Sequence, residues 1–304
     1  MITTLGQMAD TVRLSGVKRK IAVAWAQDHN TVGSLYRAVS EGFVEAIMIG
    51  QRHRILCTCQ DTGADPGRFT IIDSADEKSA AELAVSMTRS GEADIVMKGL
   101  VGTDKFLRAV LDKEKGLLPP GAVMSYVCAV EIPAYHKLLF ITDTAVIPFP
   151  DIEQKVAMAR YAIEMAHRFG IGKPRVALIG ASEKVSERFP NTLDYTEMRR
   201  RAESGEIANC IMDGPLDLFL ACDPASVKIK GVDTPVAGNA DILLFPSLEA
   251  CNPFYKGLML FAKGELAGMI CGTSKPVVLM SRSESELSKY YCVALSCLMA
   301  RQNG

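Results

Sequence analysis

The chain has 304 residues, 48% of them hydrophobic and 23% charged, with a formal net charge of −1. That length and apolar content suffice for one large core or two smaller ones and exclude a disordered chain. A charge so near zero supplies no field to hold a nucleic acid or an anionic membrane, and leaves room only for a local basic cleft around a small anion. The opening MITTLGQMADTVRLSG lacks a signal-peptide core, and no run approaches the ~18 apolar residues of a membrane span, so a cytoplasmic protein is expected. The nine cysteines are scattered apart from Cys57-Thr58-Cys59 and read as reduced thiols. His29, His53, His136 and His167 lie far apart and form no HExxH run, so no metal is expected.

Taken in chain order, apolar runs rich in β-branched residues recur between amphipathic helical stretches. They are IAVAWA (21–26), EAIMIG (45–50), FTIID (69–73), DIVMKG (94–99), LLFIT (138–142), RVALIG (175–180), CIMDG (210–214), DILLFP (241–246) and PVVLM (276–280). Several do not alternate, which fits strands covered on both faces. Between them, Ser74 with Glu77 reads as a capping box, and 152–169 carries apolar residues at helical spacing. Strand and helix alternate almost throughout, so the expected class is α/β with largely parallel sheets.

Ligands of such sheets sit at the C-terminal ends of strands. The loops to inspect are KGLVGTDKFLRAVL (98–111), TDTAVIPFPD (142–151), MDGPLD (212–217) and SRSESE (281–286). Walker and dinucleotide glycine patterns are both missing. In the first loop Lys98, Thr103 and Asp104 begin a helix, with Thr103 or Asp104 as its N-cap. Asp143, Asp213 and Asn239 read as turn formers, and Asn252-Pro253 as a helix entry. In KPVVLMSRSESELSKYY (275–291) a strand runs into a helix with Ser281 and Arg282 at the junction. Two readings stand: a Ser281–Glu284 capping box alone, or an anion site in which helix N–H groups, Ser281 and Arg282 hold a phosphate. Arg108, by itself, is a solvated helix charge.

Together, 93–117, FITDTAVIPFPDIEQK (140–155), the MDGPLD loop, VAGNADILLFPSLEACNPFYKGL (236–258) and KPVVLMSRSES (275–285) resemble the phosphate acetyltransferase and phosphate butyryltransferase family. The wording KGLVGTDKFLRAVLDKE is nearest the butyryl branch. The resemblance implies reversible acyl transfer between coenzyme A and inorganic phosphate with no metal or prosthetic group, coenzyme A being a substrate. It implies two α/β domains of the isocitrate/isopropylmalate dehydrogenase type, 1–120 plus 273–304 and 121–272, flanking an interdomain cleft, and a homodimer. It also implies that Ser281, Arg282 and Arg108 contact phosphate or acyl phosphate.

One position departs from the family. Acetyl-transferring members carry an aspartate, their proposed base toward the coenzyme A thiol, where this chain has Ser288, and a serine cannot serve so at neutral pH unaided. On one helix 281, 284, 285 and 288 would share a face, which makes Glu284 either the base or the capping partner. Chain length of the acyl group stays open, because each methylene contributes only ~0.8 kcal/mol on burial; butanoyl-CoA is favoured and acetyl-CoA is the alternative. Two other classes are weighed. An NAD-dependent decarboxylating dehydrogenase would need a metal-binding aspartate cluster that the sequence does not offer. A coenzyme A-binding protein without catalysis is suggested by Ser288.

Overall fold

The computed structural model describes residues 1–281 and 284–300 and divides into two compact units, Leu5–Met124 with Leu266–Gly304, and Met1–Thr4 with Ser125–Glu265. Both are mixed α/β, with mostly parallel strands. The first unit begins with α1 (Leu5–Leu14), β1 (Arg19–Ala24), α2 (His29–Ser40), β2 (Val44–Gly50), α3 (Arg52–Thr62), β3 (Thr70–Asp73), α4 (Glu77–Ser90), β4 (Ile95–Lys98) and α5 (Thr103–Val110). The second holds β5 (Ser125–Glu131), β6 (Leu139–Thr142), α6 (Ile152–Arg168), β7 (Arg175–Ile179), α7 (Asn191–Glu203), β8 (Ile211–Leu216), α8 (Leu218–Cys222), α9 (Pro224–Lys230), β9 (Ile242–Leu244) and α10 (Leu248–Phe261). The chain then returns to the first unit with β10 (Glu265–Cys271), β11 (Val277–Val278) and α11 (Glu286–Met299).

In the first unit the strands lie in the order β3-β2-β1-β4-β11-β10, parallel except for the β10–β11 pair. Ile21, Val23, Ile95, Val96 and Met97 are fully buried, as continuous apolar runs require when helices cover both faces. Each such side chain contributes roughly 1.5–3 kcal/mol to the core. The order reverses at β1: β2 and β3 extend to one side and β4 joins on the other. After β1 the chain enters α2, which packs on α11, whereas after β4 it enters α5, which packs on α4. The connections diverge at that point and leave a crevice at the carboxyl ends of β1 and β4, where ligands of open α/β sheets bind.

The second unit orders its strands β5-β6-β9-β7-β8, with only β5–β6 antiparallel. Its MDGPLD segment is not a loop: residues 212–216 complete β8, where Asp213 is buried and meets Arg199 at 3.1 Å. Nor does Asn252-Pro253 open a helix. Ser247 caps α10, and Pro253 lies inside it. The Ser74–Glu77 box is replaced by Asp76, whose side chain accepts from the N–H groups of Lys78 and Ser79 at 2.9 and 3.0 Å. A capping box does form at α6, between Asp151 and Gln154.

Asp143 is more than a turn former. It is 2% exposed. Its Oδ1 accepts from the N–H groups of Ala145 and Val146, both at 2.8 Å, and its Oδ2 from Ser125 Oγ at 3.0 Å, Tyr126 N–H at 3.1 Å and Ile147 N–H at 3.3 Å. Burial pushes its carboxyl pKa up, against the pull of those donors, so its contribution to stability declines as pH rises above the ordinary 3.8 toward the folded value. An asparagine amide in its place would point N–H against N–H whichever way it turned. Asp143→Asn is expected to cost about 1–3 kcal/mol in urea unfolding, and an unchanged midpoint would contradict this role.

Candidate functional site

The crevice of the first unit is built by close approach of two loops. Gly99 N–H donates to Ala24 O and Leu100 N–H to Trp25 O, both at 2.9 Å, which continues the β1–β4 ladder beyond the strands. A Cβ at Gly99 would lie 2.6 Å from Trp25 O and 2.8 Å from Ala24 O, so only glycine permits the approach. Trp25 itself holds φ at 57°, a left-handed conformation that costs a non-glycine residue energy and that packing must enforce.

Beside this junction is a cavity of about 280 Å³ lined by Lys98, Thr103, Met280 and Ser281. Lys98 ends β4 and is only 4% exposed, with Nζ donating to Gly99 O at 3.2 Å. Thr103 opens α5, whose N-cap is Gly102 and brings no side-chain bond, contrary to the expectation of a Thr103 or Asp104 cap. The first turn of α5 carries the positive end of the helix dipole, and the Asp104 carboxylate lies over it, its Oδ1 2.8 Å from where a Cβ on Gly102 would be. Glu77 adds a second carboxylate there, its Oε2 accepting from Lys105 Nζ at 3.0 Å and from Gly102 N–H at 3.5 Å. Met280 and Ser281 follow β11.

Of the residues named from sequence, Ser281 is exposed and lines the cavity, and its N–H donates to Glu284 Oε2 at 3.3 Å. Arg282 lies outside the described residues. Arg108 is exposed on α5, does not line the cavity, and makes no side-chain hydrogen bond or ion pair among the described residues. Ser281 and Glu284 thus meet, while Arg108 stands apart.

The capping-box reading needs correction. Glu284 does reach back to Ser281 N–H, but the helix begins at Glu286 and its cap is Ser285, whose side chain accepts from Ser288 N–H at 3.0 Å. Positions 281 and 284 consequently precede α11 and do not share a helical face with Ser288. Ser288 is buried, and its hydroxyl accepts from Leu266 N–H at 3.3 Å, a packing role within the unit.

Three contacts from α2 and its N-cap secure Glu284 and the start of α11. Asn30 Nδ2 donates to Glu284 O at 3.2 Å, and Lys289 Nζ meets Asp28 Oδ1 at 2.9 Å and Thr31 Oγ1 at 3.2 Å. Burial opposes ionisation of Asp28, but the Lys289 ammonium and the hydrogen bonds from Thr31 and Lys289 outweigh it and hold the carboxyl below the ordinary 3.8. The sequence places Lys98 in a loop to inspect but as part of a helix start, whereas it ends β4; Asp28, Asn30 and Lys289 are supports that the sequence reading does not name. Their residue types were visible, their convergence was not.

The second unit has a recess of about 330 Å³ at the ends of β7 and β9, with Phe189, Phe245 and Pro246 among its apolar walls. Ser182, Lys184, Asn191 and Thr192 are the polar residues of its lining. Among the described residues no group of three or more His, Cys, Asp or Glu is placed to hold a metal ion, and no helix is long and apolar enough to cross a membrane.

The family model described as phosphate acetyl/butaryl transferase matches residues 77–297. The chain belongs to that family. Among its relatives, a phosphate butyryltransferase of Clostridium acetobutylicum is 38% identical over 300 residues, 99% of each chain. A phosphate acetyltransferase of Thermotoga maritima is 36% identical over 285 residues, 94% of this chain and 96% of the relative. Among solved structures, a branched-chain phosphotransacylase from Enterococcus faecalis V583 superposes with a TM-score of 0.81 at 27% identity, covering 93% of this chain and all of the other. The family match takes in β4, α5, β11 and most of α11, so every lining residue of the Lys98 cavity falls within it.

Proposed function

We propose that this member of the phosphate acetyl/butaryl transferase family moves a short acyl group between coenzyme A and inorganic phosphate, with butanoyl-CoA + phosphate = butanoyl phosphate + CoA as the favoured reaction. The observation that carries the choice is identity of 38% over 99% of both chains with a phosphate butyryltransferase. A phosphate oxygen attacks the thioester carbonyl carbon, the C–S bond breaks, and coenzyme A leaves as the thiolate. No acyl-enzyme is needed. The protein's contribution is to hold two anionic reactants together and neutralise charge as it develops.

Ser281 supplies a hydroxyl at a cavity that Thr103, the first residue of α5, also lines. Arg282 and Arg108 supply planar forks suited to bidentate phosphate contacts. Glu284 is the nearest carboxylate to Ser281 and the candidate base for the reverse reaction; its bond to Ser281 N–H gives it a competing positioning role. Coenzyme A enters as substrate, with no metal or prosthetic group. The same reading takes the architecture as isocitrate/isopropylmalate dehydrogenase-like with transfer in an interdomain cleft, and the protein as a cytoplasmic homodimer.

Phosphate acetyltransferase is the second reading, motivated by the 36% identical relative. Trapping the acyl phosphate as its hydroxamate from butanoyl-CoA, isobutanoyl-CoA and acetyl-CoA, with and without phosphate, separates the two. Butanoyl-CoA is expected to lead. Acetyl-CoA in first place would select the second reading, and binding of coenzyme A without any product would leave a non-catalytic binding protein.

A further inference from the structure

The functional reading assigns phosphate to residues of the first unit and leaves the recess of the second without a task. That recess sits at a switch point of its own sheet. β9 lies between β6 and β7, and the last register pair joining it to β7 is Leu178 with Leu244. Just beyond that pair the two chains part. Phe245 N–H donates to Thr142 O at 3.0 Å, toward β6, and Gly180 N–H donates to Leu216 O at 2.9 Å, toward β8. The helices that follow diverge in the same way, α10 packing on β6 and α7 on β8. Ligands of open α/β sheets bind in such crevices at the carboxyl ends of strands.

The walls are fixed before any ligand arrives. Phe245 is 4% exposed and packs on Phe254, their ring centroids 5.0 Å apart. Phe189 belongs to the loop after β7, which Thr192 fastens: its hydroxyl donates to Phe189 O at 2.8 Å and accepts from Ser186 N–H at 3.0 Å. Phe189 still leaves 54% of its surface to water while lining the recess. No carboxylate lines it, and Glu183 and Glu187, which flank Lys184 in sequence, balance that one ammonium from outside the lining. The chemistry therefore suits neither a metal ion nor a bare phosphate. It suits an elongated, largely apolar group with uncharged hydrogen-bonding atoms along it. At ~30 Å³ for each water-sized group, the volume takes on the order of ten non-hydrogen atoms, a part of coenzyme A and not the whole.

We infer that this recess binds the pantetheine arm of coenzyme A, its methylenes and methyls lying against Phe189, Phe245 and Pro246 and its amides facing Ser182, Lys184 and Asn191. The inference rests on the proposed acyl transfer, which needs the thioester held by groups other than those that hold phosphate.

Two variants of the full chain test it. Ala250→Trp fills the recess from an exposed position on α10, and Phe189→Ser removes a wall from an exposed loop, so the second decides alone if the first does not fold. By calorimetry, the Kd for coenzyme A should rise by about 30-fold in Ala250→Trp and by about tenfold in Phe189→Ser, as loss of apolar contact implies. The KM for butanoyl-CoA should rise with it, while the KM for phosphate stays within about twofold of the parent, as for a separate subsite. An unchanged Kd for coenzyme A would overturn the inference. So would a loss confined to butanoyl-CoA, which would mark an acyl pocket, or a phosphate KM that rises equally. Failure of the unaltered protein to bind coenzyme A or to form acyl phosphate would instead defeat the functional reading.

Discussion

Arg282→Lys is expected to lower butanoyl phosphate formation by about 100-fold or more, with weaker use of phosphate. The variant keeps the charge and loses the planar fork, and removal of one well-placed donor to a developing oxyanion costs about 10²–10³ in turnover. A lysine ammonium offers a point charge where the arginine offers two parallel N–H groups. Arg282 lies outside the described residues, so the expectation comes from its place in the family pattern, next to a Ser281 that lines the cavity. Initial rates at varied phosphate, with the product trapped by hydroxylamine, check it. Kinetics equal to those of the parent would remove Arg282 from the site.

The second large effect is on stability. Asp28→Ala should cost about 3–5 kcal/mol in urea unfolding at neutral pH, because it strands the buried Lys289 ammonium and removes the side chain that caps α2. The pair is well shielded, with side-chain exposures of 20% for Asp28 and 4% for Lys289. Pairing Asp28→Ala with Lys289→Met should recover part of the loss, since the isolated charge is then gone. Asp28 is a carboxyl held below 3.8 in the fold, so its stabilisation is fully present above that value and is lost as pH falls through the lower folded value. Acid unfolding of the Asp28→Ala protein should therefore be less steep than that of the parent. A cost below about 1 kcal/mol, the range of exposed pairs, would mean that the contact is not the latch described.

The two effects meet at one segment. Asp28 fastens the start of α11, and Asn30 fastens Glu284 O, to α2. Loss of the latch should thus loosen Ser281 as well as lower stability.

Much of the architecture was legible because the apolar runs are short, continuous and bounded by turn residues. All nine runs correspond to strands, from β1 at 19–24 to β11 at 277–278. The two strands not foreseen are instructive. ELAGMIC in β10 draws mostly on Glu, Leu, Ala, Gly and Met, which carry little strand preference or favour helices, so sheet pairing decides it, whereas SYVCAVE in β5 does carry a strand signal in Tyr126, Val127 and Val130. MDGPLD reads as a loop because Gly and Pro usually mark one, whereas β8 runs through both.

The site was legible in part. The spacing of SRSESE shows that a helix starts nearby, but it offers three serines as caps, and local sequence cannot choose Ser285 over Ser281. Choosing correctly changes the chemistry, since it takes Glu284 off the helix and buries Ser288 against Leu266. The position of Lys98 at a strand end is legible, but its burial is not. Its burial follows from β4 lying between β1 and β11, a long-range arrangement fixed only when the chain returns after residue 265.

The central claim is the transfer of an acyl group from coenzyme A to phosphate, and phosphorus NMR of one reaction tests it most directly. Purified protein, butanoyl-CoA and inorganic phosphate are mixed, and the phosphate and acyl phosphate resonances are followed over time. Growth of butanoyl phosphate at the expense of phosphate, matched mole for mole by released coenzyme A and reversed when coenzyme A is added in excess, is the predicted result. Release of coenzyme A without an acyl phosphate, or no change in either resonance while coenzyme A binds, would contradict it.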